Sequence, residues 1–148
     1  MSKVLNPNKS RYAVAISRFR LVASRIPAEA KTNLEGAMKL YYVPKLELDK
    51  ITDQEVLLDA LRLNVLYQVQ RAGSGHLGGS LSSLTIMVPL FFGEMGPDDV
   101  FISSKGHDAP ALYAVLTAKG VIPFDAIHTF RRPGGLPGHP TIDVPGVL

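Results

Sequence analysis

The sequence contains no cysteine, which excludes a disulfide framework, thiolate catalysis and the common cysteine-based zinc sites. This composition suits a reducing compartment, and we expect a cytoplasmic protein. Low-complexity runs are missing, and the apolar runs are short and broken by Ser, Pro or charge, so none is predicted to span a bilayer. With 148 residues, 46% of them hydrophobic, the chain can form one domain with a core.

Acidic residues are scarce at the front of the chain. Residues 1–45 carry nine Lys or Arg and two Glu, whereas residues 46–148 carry seven basic and eleven acidic residues. The formal net charge of +3 therefore reflects the front segment alone. Because that segment has no adjacent basic residues and no aromatic stacking platform, we predict no nucleic-acid partner.

Residues 1–50 are predicted to form a basic helical N-terminal extension. Apolar residues recur at helical spacing over residues 10–26 and 28–42, and Pro27 and Pro44 follow the two stretches. The Arg-rich first 28 residues are also compatible with an organelle-targeting peptide. We favour an extension that packs on the domain or on a partner, because the helical pattern continues past any cleavage point. The apolar face is modest, and no membrane partner is predicted.

Residues 51–148 have the pattern of an α/β domain. The residues from Thr52 to Glu55 form a capping box with Thr52 at the cap, and Gly73 is expected to end the helix that follows. Ser80 is expected to cap the next helix, which Pro89 kinks or limits.

A short β-branched and aromatic run over residues 100–103 predicts a buried strand. It leads through a glycine turn into a helix with Pro110 in its first turn and Gly120 at its end. A further helix is predicted over residues 124–131, followed by a loop rich in Pro and Gly. Strand, glycine turn and helix make the βα step of a parallel sheet, whose ligands bind beyond the carboxyl ends of the strands.

Three of the four histidines follow a glycine directly: His76, His107 and His139. Glycine permits close approach of a ligand to the backbone, and imidazole can exchange a proton near neutral pH. His107 and Lys105 lie at a predicted helix start, which favours an anion such as phosphate. An equally good interpretation is that His107 caps the helix and Lys105 is solvated.

Other chemistry has less support in the sequence. The three histidines are 31 and 32 residues apart, without the short spacings of zinc motifs, although a distributed three-histidine metal site stays open. His128 lies within a predicted helix as a surface or boundary residue, and Asp108 is a typical structural residue of a helix start. No Ser-His-Asp arrangement, P-loop or dinucleotide fingerprint is present.

Three separated motifs resemble the start of the thiamine diphosphate-binding domain of transketolases. They are residues 71–80 (RAGSGHLGGS), residues 101–107 (FISSKGH), and residues 136–140 (LPGHP) with 144–147 (VPGV). The resemblance covers residues 61–147 and is closer to members divided into two chains, the N-terminal section type. It implies a partial α/β thiamine diphosphate-binding fold, a parallel sheet with flanking helices, behind the helical extension.

The resemblance also implies roles for individual residues. The histidines matching His76 and His139 are catalytic and bind substrate, the first by moving protons and the second by contacting a substrate hydroxyl. The residues matching His107, Gly106 and Lys105 lie at the cofactor diphosphate. The activity implied is transfer of a two-carbon ketol unit between sugar phosphates.

The family's Mg²⁺ ligands follow the part that this sequence matches, so no metal ligand is assigned here. A glutamate that activates the cofactor lies in a second domain, and the active site forms between two chains. We therefore expect a second domain or subunit as partner, in a homodimer or heterotetramer, and no activity from this chain alone. Alternatives are a related 2-oxo acid dehydrogenase or decarboxylase component, a non-catalytic degenerate domain, or a partner-binding module formed by the basic helices.

Overall fold

A computed structural model describes residues 41–147. Four α-helices occur in this part of the chain: α1 (Lys45–Leu48), α2 (Gln54–Ala72), α3 (Leu77–Pro89) and α4 (Ala109–Lys119). A π-helical turn (Leu90–Glu94) continues α3, and two 3-10 segments cover Gly106–Asp108 and Phe124–Thr129. The helix predicted over residues 10–26 and most of the one over 28–42 lie outside the described residues. Residues 41–44, at the end of the second prediction, are not helical.

Helices α2, α3 and α4 pack against one another around one apolar core. Fully buried side chains come from each of them: Leu61 and Val65 of α2, Leu84 of α3, and Val115 of α4. Burial of a side chain of this size stabilises the fold by about 2 kcal/mol, so the three helices depend on each other more than on their own propensities.

The start of α2 differs from the prediction by one residue. Asp53, not Thr52, is the cap, and its carboxylate accepts hydrogen bonds from the backbone N–H groups of Glu55 (2.8 Å) and Val56 (3.2 Å). A carboxylate at this position also interacts favourably with the helix dipole, which a Thr hydroxyl does only weakly. The predicted end is confirmed, since Gly73 adopts a left-handed conformation with φ 70°.

Helix α3 begins earlier than predicted. His76 is the cap, and its Nδ1 accepts a hydrogen bond from the Gly79 backbone N–H at 3.1 Å. The prediction that Ser80 caps this helix is wrong, because Ser80 lies within the helix. Its side chain is fully buried, and its hydroxyl donates to the His76 carbonyl at 2.9 Å. Pro89 is the last α-helical residue, and a π-helical turn follows it. The prediction that Pro89 limits the length of the α-helix is therefore confirmed.

The predicted strand over residues 100–103 is wrong for the described part of the chain, since residues 41–147 contain helices and turns without a strand. Val100 and Ile102 are 64% and 85% exposed, while Phe101 packs on Phe91 with ring centroids 5.2 Å apart. A β-strand needs a hydrogen-bonded neighbour, and the described residues offer none to this segment. The sheet of the predicted α/β fold is thus not formed by residues 41–147.

The end of the described chain follows the predictions more closely. Pro110 lies in the first turn of α4, and Gly120 ends that helix with φ 76°. The helix predicted over residues 124–131 is instead a shorter 3-10 segment, Phe124–Thr129. Residues 132–147 form turns and loops, as their Pro and Gly content predicts.

One helical stretch of the described residues, Leu77–Glu94, is long and apolar enough to cross a membrane by length and composition alone. The apolar runs of the sequence did not predict this, because Ser and Pro interrupt them. Leu84, Met87 and Val88 on this stretch are buried in the core, whereas Ile86 is 61% exposed and 28% of the stretch is buried in all.

Residues before α1 are tied to the core through Asn64. Its side chain is fully buried, with Oδ1 accepting from the Val43 N–H at 2.6 Å and Nδ2 donating to the Val43 carbonyl at 3.0 Å. Asn64→Leu would leave both backbone groups buried and unpaired, and we expect it to lower the free energy of unfolding by about 3 kcal/mol. Urea denaturation followed by circular dichroism measures this.

Gln70→Leu is the matched control, because Gln70 is exposed on the same helix. We expect it to change stability by less than about 0.5 kcal/mol. Equal losses in the two variants would contradict the role given to the Asn64 hydrogen bonds.

Candidate active site

The three glycine-histidine loops meet at one place on the surface. The rings of His76 and His107 are in contact, with centroids 4.4 Å apart and planes tilted by 54°. His139 lies directly against Gly106, since a Cβ built on Gly106 would be 2.8 Å from the His139 Cδ2 atom. All three histidines are exposed. Residues more than 60 positions apart in sequence are thereby brought into one open cluster, which we call the imidazole cluster (His76, His107, His139).

Two glycines make this approach sterically feasible. A Cβ on Gly79 would lie 2.7 Å from the His76 Nδ1 and 3.5 Å from the His107 Cδ2. A Cβ on Gly106 would collide with the His139 ring in the same way. Real Cβ contacts are not this short, so a side chain at either position would displace an imidazole.

His107 does not cap the helix that follows it. The cap of α4 is Asp108, and the imidazole of His107 instead contacts the ring of His76. Lys105 is exposed and comes immediately before the 3-10 turn Gly106–Asp108 that leads into α4. A cation and an exposed imidazole thus lie at the start of a helical segment, where backbone N–H groups also favour an anion.

A buried carboxylate beneath this turn fixes its position. Asp108 is 3% exposed, and its carboxylate accepts hydrogen bonds from the hydroxyls of Ser83 (2.7 Å) and, more weakly, Ser103 (3.3 Å). Ser83 belongs to α3, so the bond joins that helix to the turn that carries His107. The N-terminus of α4 further stabilises the negative charge. Asp108 therefore acts from inside the fold, away from the exposed imidazoles.

A cavity of about 380 Å³ opens beside the imidazole cluster. Apolar side chains line most of it, with the Lys105, Gly106 and Asp108 turn along one edge. Its apolar lining residues are Phe91, Met95, Val100, Phe101, Ile102, Leu112, Leu116 and Val147. Lys105 is the cation of the lining, and the carboxylates of Asp99 and Asp108 also belong to it, so the hollow suits the organic part of a ligand better than its anionic part.

The described residues fit an anionic group better than a metal ion. Residues 41–147 contain no group of three or more His, Asp or Glu side chains placed to hold a metal. The imidazoles of His76 and His107 contact each other, and His139 packs on Gly106. Exposed donors at Lys105 and His107, beside glycines that leave the backbone open, match the needs of a diphosphate.

The fourth histidine lies outside the cluster. His128 is half-buried, and its Nδ1 lies 2.7 Å from the Tyr67 hydroxyl, with the ring edge-on to Tyr42. Burial lowers the pKa of His128, the nearby Arg71 charge lowers it further, and Asp125 opposes both. Burial also raises the pKa of Tyr67, which keeps its hydroxyl protonated beside the ring.

Three features of the site were not found from the sequence. The Ser83–Asp108 bond joins residues 25 positions apart, and no local pattern signals it. The sequence predicts Asp108 as an ordinary helix-start residue, and its position agrees with this. Its burial is not predicted by the local sequence. Arg131, which lies beside the loop of His139, carried no signal, because a left-handed backbone at an arginine has no sequence signature.

Known proteins resemble this chain over part of its length. It is 44% identical to an apulose-4-phosphate transketolase subunit of Phocaeicola vulgatus, over 53% of this chain and 32% of that subunit. It is 38% identical to a 6-deoxy-6-sulfo-D-fructose transketolase subunit of a Clostridium species, over 55% of this chain and 33% of that subunit. Mouse transketolase is 34% identical over 70% of this chain and 18% of that enzyme.

No protein-family model matches the chain. The chain spans about a third of the length of the two bacterial relatives and less than a fifth of the mouse enzyme. This similarity makes the chain a homologue of transketolases, a class of transferases, and confirms the resemblance found in the sequence. Two of these relatives are named as subunits, in agreement with the N-terminal section type. The homology suggests the α/β thiamine diphosphate-binding fold, to which residues 41–147 contribute helices.

Stability should fall in mild acid because of His128. Because the pKa of His128 is lowered in the folded state, protonation of its imidazole favours unfolding. The contribution of neutral His128 to the free energy of unfolding is therefore fully present above pH 6.5, its ordinary pKa, and is lost as pH falls through the lowered pKa. We expect thermal melting of the wild type to show this decline. His128→Asn, which keeps a hydrogen-bond acceptor near Tyr67, should flatten it. An unchanged slope in His128→Asn would contradict the assignment.

Proposed function

We propose that this chain is part of a transketolase-like enzyme that transfers a two-carbon ketol unit between sugar phosphates. The observation that carries the proposal is the imidazole cluster, which brings together the three motifs of the resemblance. The named relatives are all transketolases, which favours ketol transfer over 2-oxo acid decarboxylation.

In this proposal the residues of the turn before α4 hold thiamine diphosphate. Lys105 and His107 would contact its diphosphate, and Gly106 keeps the backbone open beside them. The apolar cavity next to this turn is suited to the organic part of the cofactor. When bound, the cofactor supplies the nucleophilic carbon that ketol transfer needs. Its Mg²⁺ would be bound by residues that follow, in the family, the part that this sequence matches.

His76 and His139 would act on the substrate. Both are exposed, and the backbone N–H of Gly79 donates to the His76 Nδ1, which places the ring hydrogen of the neutral imidazole on Nε2, the atom that would donate to a substrate oxygen. His139 lies across Gly106 from His107, so a substrate hydroxyl contacting it would lie next to the diphosphate turn. The chain thus contributes one wall of an active site.

The second wall would come from another domain or subunit. Two relatives carry the word subunit in their names, which supports an assembly of more than one kind of chain. The open position of the imidazole cluster agrees with this, because a site that must exclude water needs a cover. We propose a homodimer or a heterotetramer with a second thiamine-enzyme subunit.

Two histidine variants in the complete assembly test the proposal. His107→Ala should weaken thiamine diphosphate binding by about tenfold, since a charge-assisted hydrogen bond to phosphate is lost. His139→Ala should lower turnover by about a hundredfold and change cofactor affinity little. Isothermal titration with the cofactor and a coupled assay with a ketose phosphate and an aldose phosphate measure the two effects.

His128→Asn is the matched control, because His128 lies outside the imidazole cluster and the change preserves its contact with Tyr67. At neutral pH it should leave both cofactor affinity and turnover close to wild type. Normal binding and turnover in both His107→Ala and His139→Ala would overturn the site. Activity with a 2-oxo acid but not with ketose phosphates would support the decarboxylase alternative instead.

A further inference from the structure

Arg131 has an unusual backbone conformation. Its φ is 54°, and it is the one non-glycine residue with a positive φ among residues 41–147. The loop around it is tightly closed, with the Arg131 N–H donating to the Leu136 carbonyl at 2.7 Å and the Leu136 N–H donating to the Thr129 hydroxyl at 3.2 Å. A left-handed backbone is disfavoured for an arginine because its Cβ crowds the backbone carbonyl, and such strain is concentrated at functional positions.

The strained backbone directs the Arg131 side chain between two loops of the imidazole cluster. Its Nη1 donates to the Ser74 hydroxyl at 3.2 Å, two residues before His76. On the other side, a Cβ built on Gly138 would lie 2.7 Å from the Arg131 Nε and 3.0 Å from its Cζ. Gly138 is adjacent to His139, so its missing side chain leaves the room that the guanidinium occupies.

The guanidinium of Arg131 also lies over the ring of Phe130. Its guanidinium carbon lies 5.8 Å from the ring centroid of Phe130, which is buried. Among residues 41–147, the ion pairs do not include Arg131. Arg131 is exposed, and its planar guanidinium contacts one hydroxyl, one ring and one glycine backbone, a set of contacts that a lysine ammonium would not reproduce.

We propose that Arg131 is a positioning residue that fixes the spacing between the His76 loop and the His139 loop. The expected effect of Arg131 on kcat rests on the proposed function, whereas its expected effect on the positions of the two loops does not. A competing interpretation is that the guanidinium binds the anionic group of the substrate directly. The two differ in which kinetic constant they change, because positioning acts on turnover and direct binding acts on KM.

The structural consequence can be measured without any activity. We would record the imidazole proton and nitrogen resonances of the full chain for wild type, Arg131→Gly and Arg131→Lys, assigned with single histidine variants. Glycine adopts φ 54° without strain, so Arg131→Gly should keep the melting temperature within about 3 °C of wild type. Both variants should shift or broaden the resonances of His76 and His139. Unmoved resonances in both variants would overturn the proposal.

A double-variant cycle tests the link to Gly138 in the complete assembly. Gly138→Ala should displace the guanidinium of Arg131. We expect Gly138→Ala and Arg131→Gly each to lower kcat by about tenfold and to change KM by less than about twofold. Because both changes remove the same contact, the double variant should lose no more than either single one. Gly96→Ala is the control, since a Cβ there makes only an ordinary contact at 3.7 Å.

Three results would overturn the positioning role. They are a raised KM with normal kcat, recovery of wild-type kinetics by Arg131→Lys, and additive losses in the double variant. An assembly without transketolase activity would refute the proposed function alone, because the resonance shifts would still decide the role of Arg131.

Discussion

The close approach of imidazoles across glycine is the constraint on which this site depends. His76, His107 and His139 come from three distant parts of the chain; the rings of His76 and His107 meet beside Gly79, and His139 lies against Gly106, where a side chain would collide with each of them. Without that room, the loops would have to separate, and the cluster would become three isolated surface histidines. The proposed chemistry therefore rests first on a packing condition, and only second on the histidines themselves.

The helices hold these loops in place. His76 caps α3, so its ring orientation is set by the hydrogen bond that starts the helix. Asp108 lies at the cap position of α4, and its buried carboxylate is bonded to Ser83 of α3. Each of these two loops is thus fixed at a helix terminus, in a core shared by α2, α3 and α4. Site geometry and domain stability are coupled through these few polar groups.

Local signals in the sequence predicted much of this arrangement. Helices α2 and α4 end at Gly73 and Gly120, each in the left-handed backbone conformation, and α4 has Pro110 in its first turn. Each of these features depends on the backbone chemistry of a single residue, so it can be predicted locally. Two predicted caps were wrong by one and four positions, because Asp53 and His76 accept hydrogen bonds from N–H groups of the first turn and so begin their helices at Gln54 and Leu77. The predicted strand over residues 100–103 failed for a different reason: pairing depends on a distant neighbour, which local composition does not reveal. The convergence of the histidines was implied by the resemblance to transketolases, and the Ser83–Asp108 bond and the Arg131 conformation required the three-dimensional structure.

Titration of the full chain with inorganic diphosphate is the most direct test of the central claim, that the three glycine-histidine loops meet at one site beside the diphosphate-binding turn of Lys105 and His107, so that a ligand on that turn is sensed by all three imidazoles. The imidazole resonances of all four histidines would be followed by nuclear magnetic resonance. The account predicts that His76, His107 and His139 shift together with one dissociation constant while His128 stays in place. Movement of a single member of the cluster, or of His128 along with the other three, would contradict it.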